Sequence, residues 1–428
     1  MYKISKLKNG LNLITIPLVG TKAITALVLL PIGSRYENRK ISGVSHFVEH
    51  MMFKGTLKRP SAIDLTRELE SVGADFNAFT GKEYTGYYVK IDSAKQELAF
   101  DLLSDMLFNS KMDEVEMKKE KGVIVEELRM YEDNPSMFIN LMFDRLLFGD
   151  CPLGWDEGGS ATTVNGLDRQ ELWDYYKSAY EPQNMTLVVS GNIDQKKLKK
   201  LVEKYYAEQK NIKSKDKRTK STFDKYTFPA SVSKLADRVI AQERKVDQAH
   251  LILGFPGFDH NHKHRHALGL MSYILGGGMS SRLFIEVREK RGLAYMINSG
   301  NGTFRDTGMS YVRAGLDPAR LPEALGVIQD ELKKMAENGV TEQELRDAKN
   351  SVAGRLALSM EESSAQAEWY AKQFWFMKTI ETPAQMLQKI RKVTLKEVQT
   401  VAKKVINFDL MRLAVIGPVK KEDVIKMI

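Results

Sequence analysis

Short apolar and polar runs alternate at the start of the chain. Residues 3–17 read as two strands joined at Asn9-Gly10, a dipeptide suited to a tight hairpin turn. The run from Ile24 to Ile32 is almost wholly apolar and too short to cross a bilayer, so it reads as a buried strand. Residues 33–38 are polar and loop-like. Helical spacing follows and stops near Gly55. Ser61 or Asp64 opens another helix, with Leu65, Leu69 and Val72 at helical spacing and Gly73 at its end. Runs 75–80 and 85–91 are rich in β-formers and predict a hairpin. Residues 93–108 and 113–130 predict helices, the second ended or bent at Asn134-Pro135. A helix over 168–180, a strand over 185–189 and a basic helix complete this half. The Lys/Ser/Thr-rich stretch 210–232 reads as a linker.

The second half repeats the first. The strand 187–191 returns as 413–417, Tyr88-Val89-Lys90 as Tyr311-Val312-Arg313, and Asp113-Glu114 with its helix as Thr341-Glu342 with another, each roughly 225 positions on. This predicts an α+β fold of two homologous α/β domains, 1–209 and 233–428. Each is expected to be a mostly antiparallel sheet with helices on one side.

The chemistry gathers in the helix before Gly55, in His46-x-x-Glu49-His50. Residues three and four apart share a helical face, so two imidazoles can reach one ion with a carboxylate beside them. This order is the inverzincin pattern, the reverse of His-Glu-x-x-His. Glu120 and Glu127 lie nearly two turns apart on a later helix and so share a face. In the second copy the motif falls on Leu268 to Ser272, and Glu127 on Arg355, so no metal site is expected there.

Composition narrows the class. A chain of 428 residues, 43% hydrophobic and 28% charged, is that of a soluble globular protein with more than one core. Lone Cys151 cannot form an internal disulfide, which fits a cytoplasmic setting, and no signal-peptide core is seen. The net charge of +9 is spread among 55 acidic residues, without a basic stripe interleaved with aromatics. Neither nucleic acid nor membrane is therefore expected as a partner. The run His260 to His266 contains Lys263 and Arg265, whose charges repel a metal ion. Gly276-Gly277-Gly278 lacks the Gly-Lys-Ser/Thr of a phosphate loop.

Several stretches together resemble the pitrilysin/insulinase family of metallopeptidases: Asn9-Gly10-Leu11, 43–56, Asn77-Ala78-Phe79-Thr80, 120–127, 180–185, 275–284 and 288–295. Within that family the chain is most similar to the β-subunit of the mitochondrial processing peptidase and its bacterial relatives. The resemblance implies a zinc endopeptidase with one Zn2+ per chain. His46, His50 and Glu127 would be its ligands and Glu49 its general base. Glu126 adjoins the third ligand, but the family's pair of glutamates seven apart selects Glu120 and Glu127, with Glu120 orienting a ligand. The resemblance further implies that Arg288 and Tyr295 stabilise the oxyanion, with Arg291 the competing arginine. Otherwise, Arg288 would pair with Glu286 or Glu289 and Tyr295 would pack in a core. Asn77, Ala78 and Phe79 would form an edge strand that pairs with an extended peptide substrate. The family closes substrate inside a clamshell built from two such pairs of domains. This chain would supply half and act as a homodimer, or as a heterodimer with an inactive homologue, Arg288 and Tyr295 serving the zinc of the other subunit. The rival expectation is a non-catalytic structural subunit.

Overall fold

The computed structural model describes residues 2–209 and 223–428. It divides into two compact units, neither continuous in sequence. Unit 1 comprises Met1–Arg129, Trp155–Asp224 and Ala357–Ile380; unit 2 comprises Met130–Gly154, Lys225–Leu356 and Glu381–Ile428. Of the expected linker, 210–222 lies outside the described residues, and 223–232 contains neither helix nor strand.

The sheet of unit 1 contains β1 (Lys3–Lys6), β2 (Asn12–Pro17), β3 (Ala23–Leu30), β4 (Asp75–Thr80), β5 (Thr85–Asp92) and β6 (Thr186–Gly191). Their order is β1-β2-β6-β3-β5-β4. The sheet of unit 2 contains β7 (Val239–Glu243), β8 (Ala249–Pro256), β9 (Ala294–Thr303), β10 (Gly308–Leu316) and β11 (Arg412–Gly417), in the order β7-β11-β8-β10-β9. Without β1, the two orders coincide: β2, β6, β3, β5 and β4 correspond to β7, β11, β8, β10 and β9. The repeated stretches of sequence occupy matching places, 187–191 in β6 and 413–417 in β11. Both sheets are mixed, since β2 runs parallel to β6 and β7 parallel to β11, while all other pairings are antiparallel.

The expectation of helices on one side is corrected. In β3 every residue after Ala23 is buried, and β6 and β11 are buried throughout. Successive side chains point to opposite faces, so strands buried at every position need cover on both. In unit 1, Val28 and Leu30 face a core that includes Phe47, Phe100, Leu103 and Tyr176. Ile14, Ile16, Leu27, Leu29 and Val188 face the other way, against Ala367, Tyr370 and Ala371 of the helix Ser363–Phe376. That helix comes from the second half of the sequence.

Unit 2 mirrors this with a helix from the first half. Asn134-Pro135 does not merely end the preceding helix. Asn134 accepts a hydrogen bond from the Ser136 N–H and caps a new helix, Pro135–Phe148, with Pro135 in its first turn, where a missing N–H costs nothing. Ile139, Met142, Phe143 and Leu147 of this helix pack with Ile252, Ala414 and Ile416. Among the described residues no helix is long and apolar enough to cross a membrane.

Phe143 is 1% exposed, and its ring lies so close to Gly254 of β8 that a Cβ there would sit 2.5 Å from it. Phe143→Ala is expected to remove about 3–5 kcal/mol of stability, measured by urea unfolding of the whole chain.

Candidate metal centre

The helix Val44–Met52 carries the motif. Its N-terminal cap, Gly43, has φ +94°, and a Cβ there would lie 2.5 Å from the Gly158 carbonyl oxygen, so the chain enters the helix in a form suited to glycine. The carboxylate of Glu37 accepts hydrogen bonds from the N–H groups of Gly43 (2.7 Å) and Ser45 (2.8 Å), satisfying donors that a helix start leaves free. Burial pushes the Glu37 carboxyl up to about 7, against those bonds. Of the nine helical residues, Val44, Ser45, Phe47, Val48, Met51 and Met52 are buried. The three that remain are His46, Glu49 and His50, all turned to the opposite face.

The second element is the helix Glu114–Asp133, whose buried residues are Met117, Glu120 and Ile124. Glu127 continues that face. It brings its Oε2 to 3.3 Å from His50 Nε2 and 3.7 Å from His46 Nε2, while the two ring nitrogens lie 3.2 Å apart. These three residues form the one cluster of three or more potential ligands among the described residues, with all ligand atoms within 4.8 Å of one another. Ligands at 2.0–2.2 Å around a tetrahedral ion stand roughly 3.3–3.6 Å apart, so the donor set fits zinc. Glu126 lies outside it, exposed and paired with Arg129 at 2.5 Å.

Glu120 is 3% exposed. Its Oε1 lies 2.9 Å from His50 Nδ1 and its Oε2 2.7 Å from Lys54 Nζ. A carboxylate facing Nδ1 keeps the proton there and turns the Nε2 lone pair toward the cluster. Burial opposes charge on His50, yet the hydrogen bonds to Glu120 and Glu127 and their charges raise it to about 9. Burial and the neighbouring His50 lower His46 to about 4. The Nδ1 of His46 is buried and has no hydrogen-bond partner among the described residues.

Glu49 accepts a hydrogen bond on Oε2 from the Thr80 hydroxyl. Burial raises its pKa, with that bond and the charge on His50 pulling the other way. Thr80 ends β4, an edge strand whose Asn77, Ala78 and Phe79 pair with Tyr88, Tyr87 and Gly86 of β5. The Asn77 side chain accepts from the Ala78 N–H at 2.9 Å.

Arg288 and Tyr295 belong to unit 2. The Arg288 Nη1 donates to the Tyr295 carbonyl at 2.7 Å, and the guanidinium lies over the rings of Phe284 (4.8 Å) and Tyr295 (5.3 Å). Tyr295 is 75% exposed and therefore not a core residue. The carboxylate of Glu286 instead meets Lys290 at 2.6 Å and Arg291 at 2.7 Å. Two contacts at the centre were not deduced from the sequence, Lys54 on Glu120 and Thr80 on Glu49. Both residues sit inside the stretches that carry the family resemblance.

Residues 16–149 match the family model described as insulinase (peptidase family M16), and residues 166–352 match that described as the peptidase M16 inactive domain. A protein of Streptomyces coelicolor named an uncharacterized zinc protease is 35% identical over 420 residues, covering 97% of this chain and 89% of its own length. A Bacillus subtilis protein named in the same way is 32% identical, covering 98% of each. The crystal structure of a Helicobacter pylori protease superposes with a TM-score of 0.89 at 23% identity, covering 98% of this chain and 99% of that one. A peptidase M16 inactive domain from Pseudomonas fluorescens gives 0.88 at 20%, covering 98% of each.

Glu127→Ala leaves two imidazoles in place of three ligands. Its affinity for zinc, measured by competition with a chelator, is expected to fall by at least about 100-fold, more than loss of an outer partner typically causes.

Proposed function

Because the chain belongs to the insulinase family, peptidase family M16, we propose that it is a zinc-dependent endopeptidase that cuts peptides or unfolded polypeptide segments. The observation that carries this reading is the convergence of His46, His50 and Glu127 beside Glu49. Zinc held by those three would lower the pKa of a bound water toward about 7 and polarise the scissile carbonyl.

The side chains have separate tasks. Glu49 stays outside the ligand set, takes the proton of the attacking water and passes it to the leaving amine. Thr80 holds one oxygen of Glu49, leaving the other for proton transfer. Glu120 fixes the tautomer of His50. The edge strand β4 pairs with the substrate backbone through Asn77, Ala78 and Phe79, so binding is largely indifferent to substrate sequence. The Ala78 N–H, held by the Asn77 side chain, is released to the substrate carbonyl.

The active assembly is a homodimer, a clamshell in which Arg288 and Tyr295 of one copy steady the oxyanion in the other. The exposure of Tyr295 and the freedom of Arg288 from Glu286 support that role. A heterodimer with an inactive homologue is the alternative assembly. Lone Cys151 fits a cytoplasmic setting.

The test is cleavage of an unfolded-peptide library with and without a chelator. Chelator-sensitive cutting is expected, and Glu49→Gln should lower kcat by roughly 10²–10⁴-fold while retaining about one zinc per chain. Zinc without cutting by the unaltered chain would assign activity to a missing partner subunit. Neither zinc nor cutting would leave a structural subunit. Thr80→Val should lower kcat about tenfold, the equivalent of one hydrogen bond, with KM little changed, and Thr80→Ser should restore it.

A further inference from the structure

We propose that Lys54 is a positioning residue of the metal centre, pinning the Glu120 carboxylate so that Glu120 in turn holds His50 in its ligating orientation. The proposal rests on the reading of His50 as a zinc ligand.

The two oxygens of Glu120 have different donors. Oε1 faces His50 Nδ1 at 2.9 Å, and Oε2 faces Lys54 Nζ at 2.7 Å. A carboxylate held at one oxygen alone is free to turn about its last bond, and the hydrogen bond to the imidazole turns with it. Held at both, its plane is fixed. The two donors come from one short piece of chain. His50 is in the last turn of the motif helix, and Lys54 follows a tight exit in which the Phe53 N–H donates to the His50 carbonyl (3.2 Å) and the Lys54 N–H to that of Met51 (3.1 Å). The ammonium and imidazole groups thus reach the two oxygens of Glu120 from one short piece of chain.

Charge argues in the same direction. His50 touches two carboxylates, Glu120 and Glu127. Lys54 neutralises Glu120, leaving Glu127 as the one carboxylate on His50 without a lysine or arginine partner. The Glu120 side chain is 5% exposed and that of Lys54 25%. An ion pair with one buried member is not the loose surface contact that contributes little. Removing its cation leaves a buried anion that must find another donor, and the nearest is the imidazole already in use.

The experiment measures zinc affinity by chelator competition and the visible spectrum of the cobalt(II)-substituted protein. Lys54→Met keeps the aliphatic stem and removes the charge. It is expected to weaken zinc about tenfold and to alter the cobalt bands, and Lys54→Arg to return both close to the original. Glu120→Ala should weaken zinc by about 10–100-fold. Lys54→Met added to Glu120→Ala should weaken it no further, because the lysine acts only through that carboxylate. A purely stabilising ion pair would alter unfolding but leave the cobalt bands unchanged. Unaltered affinity and bands in Lys54→Met, or a loss that adds in full to that of Glu120→Ala, overturns the proposal. If Lys54→Met fails to fold by circular dichroism, Lys54→Gln provides the same comparison. A chain with Lys54 intact that binds no zinc would instead refute the metal-centre reading itself.

Discussion

Each ring nitrogen of His50 faces a carboxylate, Nδ1 at 2.9 Å from Glu120 and Nε2 at 3.3 Å from Glu127. Both carboxylates come from one face of the helix Glu114–Asp133, and their side chains converge on the two edges of one imidazole. Much of unit 1 serves this fit. The motif helix is fixed at its start by Gly43 and Glu37 and along its back by Phe47, Val48, Met51 and Met52, which belong to the core. The long helix is anchored by Met117 and Ile124 in the same core. The site is polar and partly open, and a closely packed apolar layer behind it sets its geometry.

The sheets impose a second constraint. Strands buried at every position cannot leave a face to water, and in each unit one of the two faces is covered by a helix from the other half of the chain. The chain answers by exchange: Ser363–Phe376 covers the first sheet and Pro135–Phe148 the second. Thr25 and Ser363 share a hydrogen bond of 2.8 Å within unit 1, so the incoming helix is held by more than apolar contact. Neither half of the sequence therefore closes its core from its own residues.

The two units share a strand order but not a chemistry. Where the first has Glu127, the second has Arg355, its guanidinium 5.2 Å from the ring of Tyr273. The helix Glu342–Ser359 contributes Glu344 to a bidentate pair with Arg282, at 2.6 and 2.8 Å. The place that carries the candidate metal ligands in one copy is occupied in the other by arginine–carboxylate and arginine–aromatic contacts. This accords with the description of the matching family domain as inactive.

What the sequence alone determined was local or periodic. The spacing of His46, Glu49 and His50 put them on one face, because a helical turn is the same in any context. Asn9-Gly10 lies between β1 and β2, the Glu120–Glu127 interval was a shared face, and the recurrence of strand patterns was a repeat, all for similar reasons. The tertiary structure decided the rest. Lys54 and Thr80 acquire their partners only when strand and helices from distant parts of the sequence are packed together, and no periodicity encodes which oxygen meets which donor. The exchanged helices escaped for a related reason. An apolar face is visible in a sequence, but the surface that covers it depends on which sheet face remains unburied once everything nearer has packed, and that is settled only by the assembled core.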